Sequence, residues 1–440
     1  MIEVEKYLDG VMDRYFKYSI VAFIIIILCL STVAVAFVGS EDMPSQASTS
    51  ELASEDDGEA NETISSTDDS LSESLTEYGD PPTNHRIPAQ HEEAEKILTR
   101  WNNETQDLQN YHTDLAVNIS KEATVEIIAK DQDEASYIND TLESAGADME
   151  NVSTVVMNHD YVHWIRDYGP VSMINKTTGN VSFINMKYTR TETKGRYEEN
   201  KFPREYGNKT GVDYHDMKNE SGDWFTLDGG HKFIEGSGIF YTTNDAYDRN
   251  SHLGNESEVE KWATKWFNLV ENEKGFEAVE KLSDSGHLDM QVNILNETTV
   301  VVSEIVSGTY DQNDAEVLDR TADFFKNATA RNGESFNVTR LPMHVEMNAG
   351  GSYTYYTHSN SLIVNGVVLV PTYGQGTDTD ALEAYENATD KKVIGIYANY
   401  ERVARAGGAI HCTTREIPKE NIPPSINITG IEAMENKNVT

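Results

Sequence analysis

Cysteine occurs only twice in the 440 residues, as Cys29 and Cys412. Cys29 lies inside an apolar run, so Cys412 has no cysteine to meet in the rest of the chain and a disulfide framework is excluded there. A lone thiol is then either a small buried core residue or a nucleophile. Positive charge is also scarce: 35 Lys and Arg stand against 74 Asp and Glu, for a net charge of −39 and a pI near 4.5. Such a surface repels phosphates and argues against nucleic acid as a partner, while guanidinium and ammonium ligands are attracted. A solvated acidic surface suited to salt accounts for the charge equally well.

Long apolar runs are missing but for one. Ser19–Val38 has no charge over about twenty residues, enough to cross a bilayer as a helix. Arg14 and Lys17 precede it and no Lys or Arg follows until Arg86, so the positive-inside rule puts residues 1–18 in the cytoplasm and the bulk outside. Ala34-Val35-Ala36 offers a competing reading, a signal-peptide cleavage site and a secreted product. Both readings export the remainder, and sixteen N-x-Ser/Thr sequons from Asn61 to Asn438 accord with an N-glycosylated surface protein. Residues 39–88 hold hardly any large apolar side chain and read as a disordered acidic stalk. A folded domain is expected over 89–430, followed by a tail at 431–440.

Within that domain, Glu93–Leu108 offers Ala94, Ile97, Leu98, Trp101 and Leu108 at near-helical spacing. Strand-like runs follow at 123–129, 152–157, 298–302, 361–364 and 367–370, with helical stretches at 131–145, 257–269 and 314–325 between them. Strands and helices alternate at intervals of roughly sixty residues, which suggests repeated mixed units. Asn365-Gly366 between two apolar runs is a hairpin signal, expected as a type I′ turn with positive φ at both residues.

The stretch Ala406-Gly407-Gly408-Ala409-Ile410-His411-Cys412-Thr413-Thr414 sets the thiol just after a Gly-Gly pair, where missing side chains let backbone or ligand come close. Four more islands carry polar residues in apolar or glycine-rich surroundings. His163-Trp164-Ile165-Arg166-Asp167 runs into Tyr168-Gly169-Pro170, although Arg166 beside Asp167 also suits a surface pair. Asp228-Gly229-Gly230-His231 reads as a carboxylate before two glycines or as a tight turn. His287 and Asp289 point the same way if Gly286-His287-Leu288-Asp289 is extended. Ser359-Asn360-Ser361-Leu362 leads into the hairpin.

A cysteine, a histidine and several carboxylates suit attack on a guanidinium carbon. That group stays protonated, and its fork matches paired carboxylates, here Asp167 and Asp289. A thiolate adds to the carbon and a histidine protonates the departing nitrogen, with no metal or other cofactor required. Taken together, Trp164-x-Arg166-Asp167-Tyr168-Gly169-Pro170, Asp228-Gly229-Gly230, His287-x-Asp289, the Asn360 hairpin and the Cys412 block resemble the agmatine deiminase and bacterial-type peptidyl-arginine deiminase family. The resemblance covers about residues 90–425. It implies an α/β fold, the pentein five-bladed α/β propeller of repeated ββαβ units, here preceded by one transmembrane helix. It further implies Cys412 as nucleophile, His287 as general acid and then base, Asp167 and Asp289 as the guanidinium clamp, and Asn360 as an orienting group. Trp164, Asp228 and Arg190 become substrate-binding candidates.

Two departures bear on the substrate. Asp228 stands where the agmatine-type pattern has Glu, one methylene longer, and Met290-Gln291-Val292-Asn293 lacks the aromatic and basic residues of that group. Lys187-Tyr188-Thr189-Arg190 is similar to the peptidyl-arginine side, where basic residues receive a terminal carboxylate; Arg190 fits that role or that of a solvated loop arginine. The expected activity is hydrolysis of arginine in peptides or proteins by a membrane-anchored, extracytoplasmic deiminase. The alternatives are an agmatine-type small-molecule hydrolase and a noncatalytic surface module on the same fold. A Cys-His-Asn protease from Cys412, His287 and Asn360 leaves the clamp carboxylates without use. A zinc site from His411 and Cys412 lacks ligand spacing. Nothing in the sequence fixes an oligomeric state.

Overall fold

One succession of elements recurs along the chain: an antiparallel strand pair, a helix, and a strand parallel to the second of the pair. It begins with Val171–Asn175 and Val181–Asn185, continues through the helix Tyr197–Thr210 and ends on Tyr214–Asp216. Lys232–Glu235, Ile239–Thr243, the helix Glu256–Phe267 and Phe276–Val279 repeat it. Val292–Asn296, Thr299–Gly308, the helix Gln312–Asn327 and Asn337–Met347 do so again, with Tyr353–Tyr356 added antiparallel at the edge. A fourth unit is Leu362–Val364, Val367–Thr372, the helix Thr377–Ala388 and Lys392–Tyr397. The fifth joins both ends of the fold. Thr414–Pro418 pairs antiparallel with Ala94–Arg100, from which the helix Gln106–Ile119 leads to the parallel strand Thr124–Ala129. The helix Gln132–Ala145 and the strand Val152–Val156 extend that sheet. The result is a mixed α/β fold of five separate sheets, each of three or four strands.

This computed structural model describes residues 81–419 apart from 103, 237, 271–274, 331 and 332, all within the unit Ser74–Thr440. The span expected at Ser19–Val38, most of the acidic stalk and the tail lie outside the described residues. Among the described residues no helix is long and apolar enough to cross a membrane. The ordered chain starts upstream of residue 89, since His85–Arg86 pairs antiparallel with Val171–Asn175.

Local signals explain most elements. Asp131 accepts from Glu134 N to start the helix Gln132–Ala145, and Gly146 ends it in the left-handed region. Asn255 and Asp311 likewise cap Glu256–Phe267 and Gln312–Asn327. The helical reading of Glu93–Leu108 is corrected: Ala94–Arg100 is a strand, and the helix begins only at Gln106, capped by Thr105. Ala94–Arg100 lies between two strands and is covered on both faces, so Ile97 and Leu98, adjacent in sequence, enter different core clusters. Burial on both faces produces a spacing that imitates a helix.

The hairpin at Asn365-Gly366 forms with a two-residue turn, but only Asn365, at φ 47°, is left-handed; Gly366 is not, so the type I′ expectation fails. Tertiary bonds set this turn. Asn365 Oδ1 accepts from Ala94 N at 3.0 Å, and its Nδ2 donates to Ala94 O and Glu122 O at 3.2 and 2.8 Å. Asn365→Ala, which loses these bonds and strains a left-handed residue, is expected to destabilise the fold by roughly 2 kcal/mol, with Asn365→Gly recovering about half. Denaturant unfolding of the full chain measures both, and midpoints equal to wild type would refute the role of the turn.

Candidate active site

Each unit enters its first strand through a short turn, and each of the five turns carries a polar residue at that entrance. Asp167 lies in the one-turn helix Ile165–Tyr168 before Val171, and Asp228 precedes the 3-10 turn Gly229–His231 before Lys232. Asp289 lies in the 3-10 turn Leu288–Met290 before Val292, Asn360 stands two residues before Leu362, and Cys412 lies in the 3-10 turn His411–Thr413 before Thr414. The expectation that His287 and Asp289 share one side of an extended segment is corrected, because His287 caps the turn that holds Asp289. The fold nonetheless brings donor atoms of His287, Asp289 and Cys412 within 4.8 Å of one another.

Cys412 is buried. Asn360 Nδ2 donates to its Sγ at 3.1 Å, while Asn360 Oδ1 accepts from Cys412 N at 3.2 Å and Ala409 N at 3.0 Å. Asn360 therefore holds both the thiol and the loop before it. Sγ lies 3.4 Å from Asp289 Oδ2, which also accepts from His411 Nδ1 at 2.7 Å. The two glycines act differently: Gly407 sits at φ 94°, while a Cβ on Gly408 would meet Trp164 Cζ3 at 2.6 Å and Cys412 Sγ at 3.0 Å. Trp164 thus borders the thiol, half-buried and packed against the His163 ring at 4.2 Å.

Three carboxylates surround His287. Its Nε2 is 3.3 Å from Asp228 Oδ2, and its Nδ1 is 3.7 Å from Asp167 Oδ1. Asp228 is fixed by Thr189, whose N and Oγ1 donate to its two oxygens at 2.9 and 2.6 Å. As placed, Asp228 is a partner of His287. Gly230 allows this packing, since a Cβ there would lie 2.6 Å from His287 Nδ1. Asp167 Oδ1 and Asp289 Oδ1 are both buried without a hydrogen bond, a costly state for carboxylate oxygens unless a donor is brought to them.

Electrostatics follow from this crowding. Burial, reinforced by Asp228 and Asp289, pushes Asp167 up to about 7 against the pull of His287. Burial also disfavours ionised Asp228, but the bond from His287 and the nearness of His231 outweigh it and hold the carboxyl at about 2. For His287 burial opposes charge, yet Asp167, Asp228, Cys412 and Asp289 outweigh it, so the imidazolium persists well above the ordinary histidine range. Burial and then Asp289 push the Cys412 thiol up to about 12, against the pull of His287. An imidazolium beside a neutral thiol is the resting pair.

Behind the thiol, Arg166 is fully buried and is no surface pair with Asp167. Its Nη1 and Nη2 donate to Glu416 at 2.6 and 2.8 Å, and its Nε donates to His411 O at 3.0 Å. In front, a cavity of about 280 Å³ is lined by Thr189, Asp228, His231 and His287, with Arg190 exposed at its rim. Sequence reasoning missed Thr189, the Arg166–Glu416 tie and the ring of His231, which lies 4.4 Å from that of His287. Only the position of His231 after the Gly-Gly pair hinted at a role. His411, weighed as a zinc ligand with Cys412, turns its ring instead to Asp289 and Gln90.

Residues 86–418 match the family described as Porphyromonas-type peptidyl-arginine deiminase. Among curated proteins, one named agmatine deiminase from Streptococcus mutans is 25% identical over 297 residues, covering 61% of this chain and 77% of its own length. A Marinomonas protein of the same name is 25% identical over 217 residues, 44% of this chain and 57% of its own length, so the match spans less than two thirds of that relative. Among solved structures, the agmatine deiminase of Enterococcus faecalis superposes with a TM-score of 0.64 at 21% identity, covering 78% of this chain and 99% of that one. These structures share the pentein-type mixed α/β fold. With the match running from the first strand to the last, the chain belongs to the Porphyromonas-type peptidyl-arginine deiminase family, hydrolases acting on carbon–nitrogen bonds in amidines.

Proposed function

We propose that the protein deiminates a guanidino group through a covalent intermediate on Cys412. The observation that carries this is the pair of buried carboxylate oxygens without a hydrogen bond, Asp167 Oδ1 and Asp289 Oδ1, beside a thiol and an imidazolium. A guanidinium supplies donors to both oxygens in one planar fork. Its positive charge also offsets Asp289, which opposes ionisation of Cys412, so bound substrate favours the thiolate. Five sheets entered by site-bearing turns suit the five-bladed arrangement expected from the sequence.

As the cation binds, the thiol releases its proton to solvent; the thiolate then adds to the guanidinium carbon, and His287 gives its proton to a terminal nitrogen that leaves as ammonia. An amidino-thioether remains on Sγ. Neutral His287 then takes a proton from water as the hydroxide adds to the same carbon, and collapse expels the thiolate. The ureido product sheds the remaining proton to ammonia, giving ammonium.

A small guanidine of agmatine type draws the most support as substrate, from the names of the relatives. Peptidyl arginine is the second reading, favoured by Arg190 at the cavity rim, where it can meet a carboxylate. We also propose, from Ser19–Val38 and the positive charges before it, that the domain is anchored outside the cytoplasm.

Ureido product assayed with the full chain on agmatine, free arginine and peptides with terminal or internal arginine tests the reading. Cys412→Ala is expected to lower turnover by roughly 10³-fold or more, and no turnover on any of the four by wild type would sink the proposal. Arg190→Ala is expected to spare agmatine and to raise KM only for carboxylate-bearing substrates.

The pH profile gives a second check. Asp167 must be ionised to hold the fork, so kcat/KM is expected to fall as pH drops through about 7. The alkaline side falls where His287 loses its proton. Asp167→Asn should remove the acid limb and cost roughly 10²-fold, about 2.7 kcal/mol; an unchanged limb in that variant would assign it elsewhere. For anchoring, deletion of residues 1–38 is expected to move the protein from the membrane fraction to the soluble one, and retention in the membrane would refute it.

A further inference from the structure

The buried side chains beside the catalytic histidine include one with no part in the steps above. His231 is 1% exposed, and its Nε2 lies 3.0 Å from Asp245 Oδ2. A carboxylate at that contact can only accept, so Nε2 carries the hydrogen; burial and then His287 disfavour the charged ring, and in the neutral ring the lone pair sits on Nδ1. That Nδ1 is buried with no hydrogen-bond partner and points toward Asp228, 4.0 Å from its Oδ2. His287 Nε2 donates to the same oxygen at 3.3 Å and becomes a ligand once a metal displaces its proton, and one ligand atom from each of the three residues lies within 4.8 Å of the others.

We propose that Asp228, His231 and His287 form a binding site for a divalent cation of the zinc class, and that its occupation shuts off the enzyme by taking His287 out of acid–base service. Binding follows from the geometry alone; the inhibitory half rests on the deiminase reading. Two imidazoles and one carboxylate are a ligand set that zinc takes, leaving a fourth position open. Tetrahedral bonds of about 2.0–2.1 Å put ligand atoms about 3.3 Å apart, a spacing that Asp228 and His287 already have, while His231 Nδ1, 4.0 Å from Asp228, must move in toward the ion.

The outer partners are also those of a built site. A metal-bound histidine is usually held by a carboxylate on its other nitrogen, and Asp245 fills that place for His231. Asp245 is itself fixed by Lys281 Nζ at 2.6 Å and Arg249 Nε at 2.9 Å, while Thr189 fixes Asp228. All three ligands line the cavity of about 280 Å³, which gives an ion a route in. A metal here competes with the reaction because the nitrogen it takes belongs to the proton donor.

The test is zinc titration of the chelator-stripped full chain by calorimetry, with melting curves to show that each variant is folded. One zinc per chain is expected. Cys412→Ala should bind it as wild type does, which excludes the other nearby trio of His287, Asp289 and Cys412. His231→Asn should weaken binding at least tenfold and Asp245→Asn by about 10–100-fold. Zinc should also halt wild-type turnover reversibly on adding chelator, with His231→Asn needing at least tenfold more zinc relative to its own metal-free rate. No saturable binding, or binding lost in Cys412→Ala and kept in folded His231→Asn, would overturn the site. The binding arm reads the inactive Cys412→Ala chain, so failure of the deiminase reading leaves it standing.

Discussion

The grip of Arg166 on Glu416 and His411 O is the contact on which the site depends. It joins the turn that carries Asp167 to the turn and strand that carry Cys412, across about 250 residues of sequence. Arg166 is wholly buried and engages Glu416 with two parallel bonds. Burying both charges carries a large desolvation cost, which only close, bidentate geometry offsets. A tie of this kind adds little net stability but tolerates few alternative arrangements. It fixes the turn of Asp167 against the turn of Cys412. Asn360 then fixes the thiol itself, and Thr189 fixes Asp228, the partner of His287.

With that frame in place, the charges around His287 explain one another. Three buried carboxylates, Asp167, Asp228 and Asp289, surround His287 and favour its imidazolium against the effect of burial. Asp228 and Asp289 have strong donors in His287 and His411, so they stay ionised. Asp167 has none and is pushed up to about 7. The site therefore holds one carboxylate that a proton or a cationic substrate can relieve. In the proposed reaction the same cation would draw the thiol toward ionisation, so that substrate binding and nucleophile activation come from a single electrostatic event.

Parts of this were legible in the sequence and parts were not, for physical reasons. Asp131 and Gly146 mark a helix by local chemistry alone, and Asn365-Gly366 marks a hairpin. The turn type was misread because Asn365 answers to Ala94 and Glu122, far away in sequence. Ala94–Arg100 was misread because a strand buried on both faces shows no alternation. In the site, glycines, carboxylates and the thiol stood out as residue types in apolar surroundings. The burial of Arg166, the bonds from Thr189 to Asp228 and the Asp245–His231 contact could not be foreseen, since each joins segments whose meeting only the fold decides.

The position of the site residues relative to the repeat goes further than the residues themselves. Asp167, Asp228, Asp289, Asn360 and Cys412 each stand a few residues before the first strand of a unit, at Val171, Lys232, Val292, Leu362 and Thr414. The entrance turns send apolar side chains such as Ile165, Leu288 and Ile410 into the cores, while the chemical group each turn carries stays outside those clusters. An entrance residue can then change from carboxylate to amide to thiol without repacking the sheet behind it. That separation lets five copies of one supersecondary unit supply three kinds of chemical group, carboxylate, amide and thiol, and it makes the interval between chemical islands in the sequence the interval between sheets.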